Sequence, residues 1–183
     1  MKLAIVPLAP VRWPAVEDLF RDSSICQRCW CMYFRTGAPY RRLSPDENRA
    51  AFRKVVRKGP PPGLLAFDGE LAVGWCQLTP RAALPQLARE WRLKTIDDEP
   101  VWCISCFYVR KSHRRSGVCT ALVEAALDAA RRAGAPALEA YPFDRDVSPS
   151  STSTGFASTF ARAGFETVAK HIPARPIMRH PLR

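Results

Sequence analysis

No apolar run in this sequence approaches the ~18 residues that span a bilayer, so nothing in it reads as a transmembrane helix. The opening Met1-Lys2-Leu3-Ala4-Ile5-Val6-Pro7 is too short, and too soon broken by proline, for a secretory core. There is no internal repeat. The 17 prolines and 9 glycines spread along 183 residues exclude a long coiled coil. Acid is in short supply: 17 Asp and Glu face 28 Lys and Arg, a formal charge of +11. That surplus favours anionic partners such as nucleotides, nucleic acids, phosphorylated cofactors or anionic membranes, without choosing among them. Histidine is scarce, at three. No second cysteine pair completes Cys26-x-x-Cys29-x-Cys31, and structural zinc normally takes four ligands. The expectation is therefore no metal, with these thiols packed among aromatics. Seven cysteines without an export signal fit reduced thiols in a cytoplasmic protein.

What is present is globular. Hydrophobic residues make up 47% and charged residues 25%, enough for a core in one domain over 1–183. Residues 3–6 read as a strand, and Pro14 opens a helix with Ala15, Val16, Leu19 and Phe20 on its apolar side. Residues 24–35, rich in Cys and aromatics, are ambiguous in type. Ser44-Pro45-Asp46-Glu47 carries a capping-box signature for a helix that ends at Lys58, before Gly59 and three prolines. Leu64–Phe67 and Leu71–Leu78 flank Asp68-Gly69-Glu70 and predict a hairpin. Pro85 to Trp91 predicts a short helix.

The most informative stretch begins at Val101. Both alternating faces of Val101–Val109 are apolar, which predicts a central strand covered on both sides. A basic turn follows, Arg110-Lys111-Ser112-His113-Arg114-Arg115-Ser116-Gly117. Then comes a helix with Val118, Ala121, Leu122, Ala125, Ala126 and Ala129 at helical spacing, ending at Gly134. Strands are expected at Ala137–Tyr141, Phe165–Ala169 and 177–179, with a loop at 142–154 and a short helix from Gly155 to Ala163. The class is mixed α/β.

A helix start leaves backbone N–H groups unpaired and carries partial positive charge, which suits phosphate. Gly117 keeps the backbone bare, and Arg114 and Arg115 add charge and forked donors. A di- or polyphosphate ligand is the expectation. The turn is neither a Walker A loop nor a dinucleotide fingerprint, since it lacks Gly-Lys-Ser/Thr and holds one glycine. The competing reading is a solvated basic turn.

Arg114-Arg115-Ser116-Gly117-Val118-Cys119 resembles the Gln/Arg-x-x-Gly-x-Gly/Ala signature of the GNAT superfamily of acetyl-CoA-dependent N-acetyltransferases. Val109-Arg110 before it, Ala126–Ala135, and Phe160-Ala161-Arg162-Ala163-Gly164-Phe165 match the surrounding pattern. Cys119 departs from it, standing where Gly or Ala is usual. The segment Cys29-Trp30-Cys31-Met32 looks like a feature of a bacterial subgroup of that family. The resemblance implies a splayed mixed sheet flanked by helices. Residues 1–62, a strand and two helices, would roof the acceptor site, and 63–183 would hold the hairpin, the acetyl-CoA-binding core and the last strands. Pantetheine would lie near Phe107, Tyr108 and Val109, and pyrophosphate on Arg115, Ser116, Gly117, Val118, Cys119 and Thr120, with Arg114 at the rim. Trp30, Met32, Phe34 and Trp75 become candidate pocket walls, or simply core.

Acetyl transfer needs a neutral amine, a donor for the developing oxyanion and a proton for the departing thiolate. The resemblance puts the oxyanion donor at the amide of Val109 or its neighbour. Glu139 is the first candidate base; a salt bridge at a strand edge is its other reading. The usual late-helix Tyr is missing from Gly155–Phe160, which leaves Tyr141, Tyr108, Ser158 through water, or solvent as acid. Asp97, Asp98 and Glu99 either attract a cationic substrate or form a solvated loop. The expected acceptor is a small-molecule primary amine, with a protein lysine or N-terminal amine as the alternative, and a homodimer is possible. A binding module without catalysis, sensing CoA or holding nucleic acid on the stripe Arg49, Arg53, Arg57, is the reading of another class. No nucleic-acid motif accompanies that stripe.

Overall fold

The computed structural model describes residues 2–144 and 153–182. Seven strands form one sheet in the order β1-β2-β3-β4-β5-β7-β6. They are β1 (Leu3–Pro7), β2 (Gly63–Asp68), β3 (Leu71–Pro80), β4 (Trp102–Val109), β5 (Ala137–Ala140), β6 (Glu166–Ile172) and β7 (Arg175–Pro181). Every neighbouring pair is antiparallel except β4 and β5, which are parallel. A parallel pair needs a crossover, and helix α6 (Val118–Arg132) supplies it.

The β4–β5 pairing is short. Trp102, Cys103 and Ile104 face Leu138, Glu139 and Ala140, and there β5 ends. β4 runs on to Val109 with only β3 as a strand partner. Among the described residues, 105–109 therefore have no strand partner on the side away from β3, where Ser153 bonds Phe107.

One face of the sheet is covered by α6. Val118, Leu122, Val123, Ala126, Leu127 and Ala130 are buried against Ala66, Val73, Ile104, Leu138 and Ala140. The buried stripe lies slightly round from the sequence expectation: Ala121, Ala125 and Ala129 are only partly covered, while Val123, Leu127 and Ala130 are inside. Val123 and Leu127 take the interior because they bury more apolar area, and Ala130 follows them on the same helical face.

The other face carries α1 (Trp13–Arg21), α2 (Ser24–Cys29), α3 (Tyr33–Thr36), α4 (Pro45–Lys58) and α5 (Pro85–Arg89). Trp13, Phe20, Trp30, Phe52, Trp75 and Tyr108 make an aromatic core there. A third cluster joins Leu84, Leu87 and Leu93 to Cys103, Tyr141 and Ile177, with Phe34 packed against it. The last helix, α7, spans Ala157–Arg162, shorter than Gly155 to Ala163.

Helix α4 starts as its sequence dictates. The Ser44 hydroxyl accepts the Glu47 N–H at 3.2 Å, and the Glu47 carboxylate accepts the Ser44 N–H at 2.7 Å. Its basic stripe is partly engaged: Arg49 pairs with Glu17, and the Arg53 guanidinium lies 5.6 Å from the Trp13 ring centre. The ambiguous stretch 24–35 resolves into α2 and α3, joined through Trp30 and Cys31 at φ 46° and 53°. Left-handed backbone is costly for such residues, so the surroundings must hold it. Trp30, Cys31 and Met32 are all buried. Gln77 Nε2 donates to the Cys31 carbonyl, and Asn48 Nδ2 donates to the carbonyls of Arg28 and Tyr40.

Gly74 on β3 lets α6 come close. A methyl there would lie 2.5 Å from Val118 Cγ1 and 3.2 Å from Leu122 Cδ1. Gly74→Ala should lower the stability by about 1–3 kcal/mol, read from the urea unfolding midpoint.

Candidate functional site

The basic turn leaves β4 at Arg110, whose N–H donates to the Val73 carbonyl at 2.9 Å. A 3-10 turn at Lys111–His113 follows, and then Arg115 at φ 61° and Gly117 at φ 85°. The left-handed conformation explains the glycine at 117, where a methyl would meet nothing within 4 Å. Helix α6 has no side-chain cap and no acid in its first turn. Its first backbone bond runs from the Ala121 N–H to the Gly117 carbonyl, so the amides of residues 118–120 have no intrahelical acceptor. Arg114, Arg115, Ser116 and Gly117 are exposed around them, and Cys119 and Thr120 are half-buried. The Val118 side chain turns into the core. These groups form an electropositive cradle with bare donors, the residues that would hold a phosphorylated ligand.

The opened edge of β4 adjoins this cradle. The Phe107 N–H points away from β3 and donates to the Ser153 carbonyl at 2.5 Å. By the two-residue period of a strand, the Val109 N–H faces the same way. The Phe107 ring packs with Phe160 on the α6 side, while Tyr108 faces the aromatic core. The Tyr108 hydroxyl donates to Asp22 at 3.2 Å. Burial, and then the Asp22 charge, push its pKa up to about 12.

Glu139 is neither at a strand edge nor open to a substrate. It is 2% exposed, on β5 between β4 and β7. Arg81 Nη1 donates to Oε2 at 2.8 Å, as does the Tyr141 hydroxyl at 2.7 Å. Arg179 donates to Oε1 from Nε at 3.2 Å and from Nη2 at 2.6 Å. Four donors occupy the carboxylate, which suits it to joining elements and not to taking up a substrate proton. Tyr141 is fully buried in the same network, and burial holds its hydroxyl pKa well above the usual value. Ser158 lies on the exposed side of α7, outside this network. Asp97 and Glu99 are drawn in as well, accepting from Arg179 at 2.7 and 3.0 Å.

Of the candidate pocket walls, Trp30, Met32 and Trp75 pack in the aromatic core, and Trp75 Nε1–H meets Cys31 Sγ at 3.2 Å. Phe34 joins the third cluster. Burial pushes the Cys26 and Cys29 thiols up to about 12 and about 11, so both are protonated at neutral pH. Among the described residues, no group of three or more His, Cys, Asp or Glu is placed to hold a metal.

Several site-forming residues escape sequence reasoning. Arg81 and Arg179 bind Glu139, and Arg35 and Arg175 are partly buried with side-chain nitrogens that have no partner. Nothing local in the chain separates a buried arginine from the surface ones. Only the isolated acid Glu139 in an apolar strand signals that compensating cations must exist.

A profile of the acetyltransferase (GNAT) family matches residues 15–152. None of the curated proteins is similar enough in sequence to count as a match. Solved structures do match. A "histone acetyltransferase HPA2 and related acetyltransferase" from Corynebacterium glutamicum shares 19% identity over 99% of this chain and 97% of its own, with a TM-score of 0.60. YncA, a putative acetyltransferase from Salmonella typhimurium solved with acetyl-CoA, shares 14% over 99% and 94%, with a TM-score of 0.57. The PaiA N-acetyltransferase of Thermoplasma acidophilum, solved with coenzyme A, shares 14% over 99% of both chains, with a TM-score of 0.51. At such identities the likeness shows the fold.

Glu139→Gln should leave two part-buried arginines short of compensating charge and cost about 3 kcal/mol or more. Chemical denaturation checks this. A variant of unchanged stability that is slowed and loses only the acidic limb of a pH–rate profile would instead mark Glu139 as a base.

Proposed function

The chain belongs to the acetyltransferase (GNAT) family, and from that premise we propose that it transfers the acetyl group of acetyl-CoA to the primary amine of a small molecule. The observation that carries this reading is the adjacency of two features. The uncapped start of α6, with Arg114 and Arg115, adjoins the edge of β4 beyond Ile104, where the pairing with β5 has ended and Phe107 bonds the loop residue Ser153. One is built for a pyrophosphate and the other for an extended amide-bearing arm, and acetyl-CoA joins the two. When bound, acetyl-CoA supplies a thioester whose carbonyl accepts the amine.

In this reading the amides of residues 117–120 hold the pyrophosphate and the two arginines close over it. The Phe107 and Val109 amides serve the arm, and Ser153 gives up its bond to Phe107 to admit it. A β4 amide, fixed in the strand before the reaction, receives the developing oxyanion. The amine nitrogen forms the new C–N bond as the C–S bond breaks, and the nitrogen's surplus proton leaves to solvent. The thiolate is protonated from solvent, because the Tyr108 hydroxyl is committed to Asp22 and that of Tyr141 to Glu139. Direct attack needs no cysteine nucleophile, and Cys103, pushed up to about 12 by burial, would make a poor one.

Residues 1–62 act in this reading as a roof over the acceptor side of one domain. Helix α3 packs against α5, with Gly37 close on the Gln86 side chain, and in this reading that packing is a wall suited to a small acceptor.

Calorimetric titration with acetyl-CoA tests the reading. The protein should bind, and Arg114→Ala/Arg115→Ala should weaken binding roughly 10-fold or more, as expected for lost charge-assisted bonds. A folded protein that binds no acetyl-CoA would overturn it.

A further inference from the structure

Among the described residues, Arg35 on α3 is an arginine whose buried fork edge has no hydrogen-bond partner. Its Nε and Nη2 are both buried and have no hydrogen-bond partner among the described residues. These two nitrogens form one edge of the guanidinium, with two parallel N–H bonds at carboxylate spacing. The side chain lies in the field of Cys31 and Cys103, and no carboxylate of the described residues acts on it. Cys103 sits on β4 opposite Glu139 of β5, one residue before the strands' last pairing. Cys31 meets Cys106, further along β4. Arg35 therefore stands over the point where β5 leaves β4.

A second arginine borders the same region. Arg175, at the start of β7, donates from Nη2 to the Tyr141 carbonyl at 3.2 Å and stacks over Phe143 at 4.5 Å. Its Nε is buried without a partner. Its Nη2 also lies 3.5 Å from Thr154 Oγ1, next to the Ser153 that bonds Phe107. The acid in its field, Glu90, already accepts from Arg92. Burial lowers the pKa of both guanidiniums; Glu90 partly offsets it at Arg175, whereas no acid among the described residues does so at Arg35. Arginine does not shed its proton, so charge held there calls for an anion from outside the chain.

We propose that the acceptor is an amine that also bears a carboxylate, gripped through both oxygens by the Nε–Nη2 edge of Arg35, with Arg175 at the neighbouring wall. The proposal rests on the acetyl-transfer reading and names its substrate class. The two cations serve the chemistry as well. They disfavour an ammonium beside them, so the bound amine holds a free lone pair. They also repel diamines and other polycations. The products are an N-acetyl carboxylic acid and the CoA thiol.

The test uses product-like probes and so needs no turnover. N-acetylglycine and N-acetylmethionine, each beside its primary amide, are titrated into the protein with coenzyme A present. The acids should bind at least roughly 10-fold tighter than the amides. Arg35→Met should abolish that difference while its affinity for acetyl-CoA stays unchanged. Its melting temperature should hold or rise, because the variant removes a buried charge that has no partner. Arg35→Lys, which keeps the charge without the fork, should restore only part of the preference. Acids and amides that bind alike, or neither binding while acetyl-CoA does, would overturn the proposal. A folded protein that fails to bind acetyl-CoA overturns the transfer reading, and this inference with it.

Discussion

The carboxylate of Glu139 is the constraint on which the site depends. It stands at the middle of the three residue pairs that join β4 to β5. It gathers Arg81 from the end of β3 and Arg179 from β7. A buried carboxylate without partners is too costly to keep, so these three segments are held wherever Glu139 is held. The clamp secures the sheet at the root of its opening. Beyond it β4 can turn amides away from β3, with no β5 residue opposite them, without the two halves of the sheet drifting apart. Asp97 and Glu99 extend the clamp to the segment that leads into β4, which makes an apparently solvated acidic run part of the frame.

The phosphate cradle obeys the opposite rule. It keeps positive groups unsatisfied in the open: an uncapped helix start, two exposed arginines and a left-handed glycine. Water satisfies such groups cheaply while no ligand is bound, and an anion displaces that water with gain. The helix pays little in stability because its packed face, and not its cap, holds it. Gly74 on β3 and Val118 on α6 bring the first turn close against the sheet. The surplus charge of +11 adds a general attraction for an acidic cosubstrate, which short salt-screened distances then make specific.

The parts legible in the sequence are those with local causes. The capping box at Ser44, the Gly69 turn between β2 and β3, and the strand–turn–helix from Val101 to Gly134 each sit within a few residues of their own signal. The stretch 24–36 is illegible for a physical reason. Trp30 and Cys31 adopt a conformation that chain propensity assigns to glycine, and the contacts that impose it come from Gln77 and Asn48, 46 and 20 residues away in the chain. Glu139 shows the same limit. Its place in an apolar strand announces that something compensates it, but the partners lie 58 and 40 residues off. Residue type alone left base and salt bridge as equal readings, and only the count of donors on each oxygen separates them.

That count also sorts the arginines. Arg81 and Arg179 are buried and paired, and their donors are spent on Glu139 and its neighbours, so they hold structure. Arg49, Arg53 and Arg110 are tied to Glu17, Trp13 and Asp18, and they hold helices to one another and to the sheet. Arg114 and Arg115 are exposed to water, with Arg114 Nε donating to the Val109 carbonyl at 3.4 Å, and neither has an acid partner among the described residues. Arg35 belongs to none of these classes. Its Nε and Nη2 are out of water and have no anion. Folding alone gives no return for that arrangement, since an apolar side chain of similar length would fill the space more cheaply. In the proposed reading, a cost carried near the opening between β4 and β5 is recovered when an anion arrives from outside. Among the described residues, the place that leaves charge uncompensated is thus the place where the proposed acceptor would complete the fold.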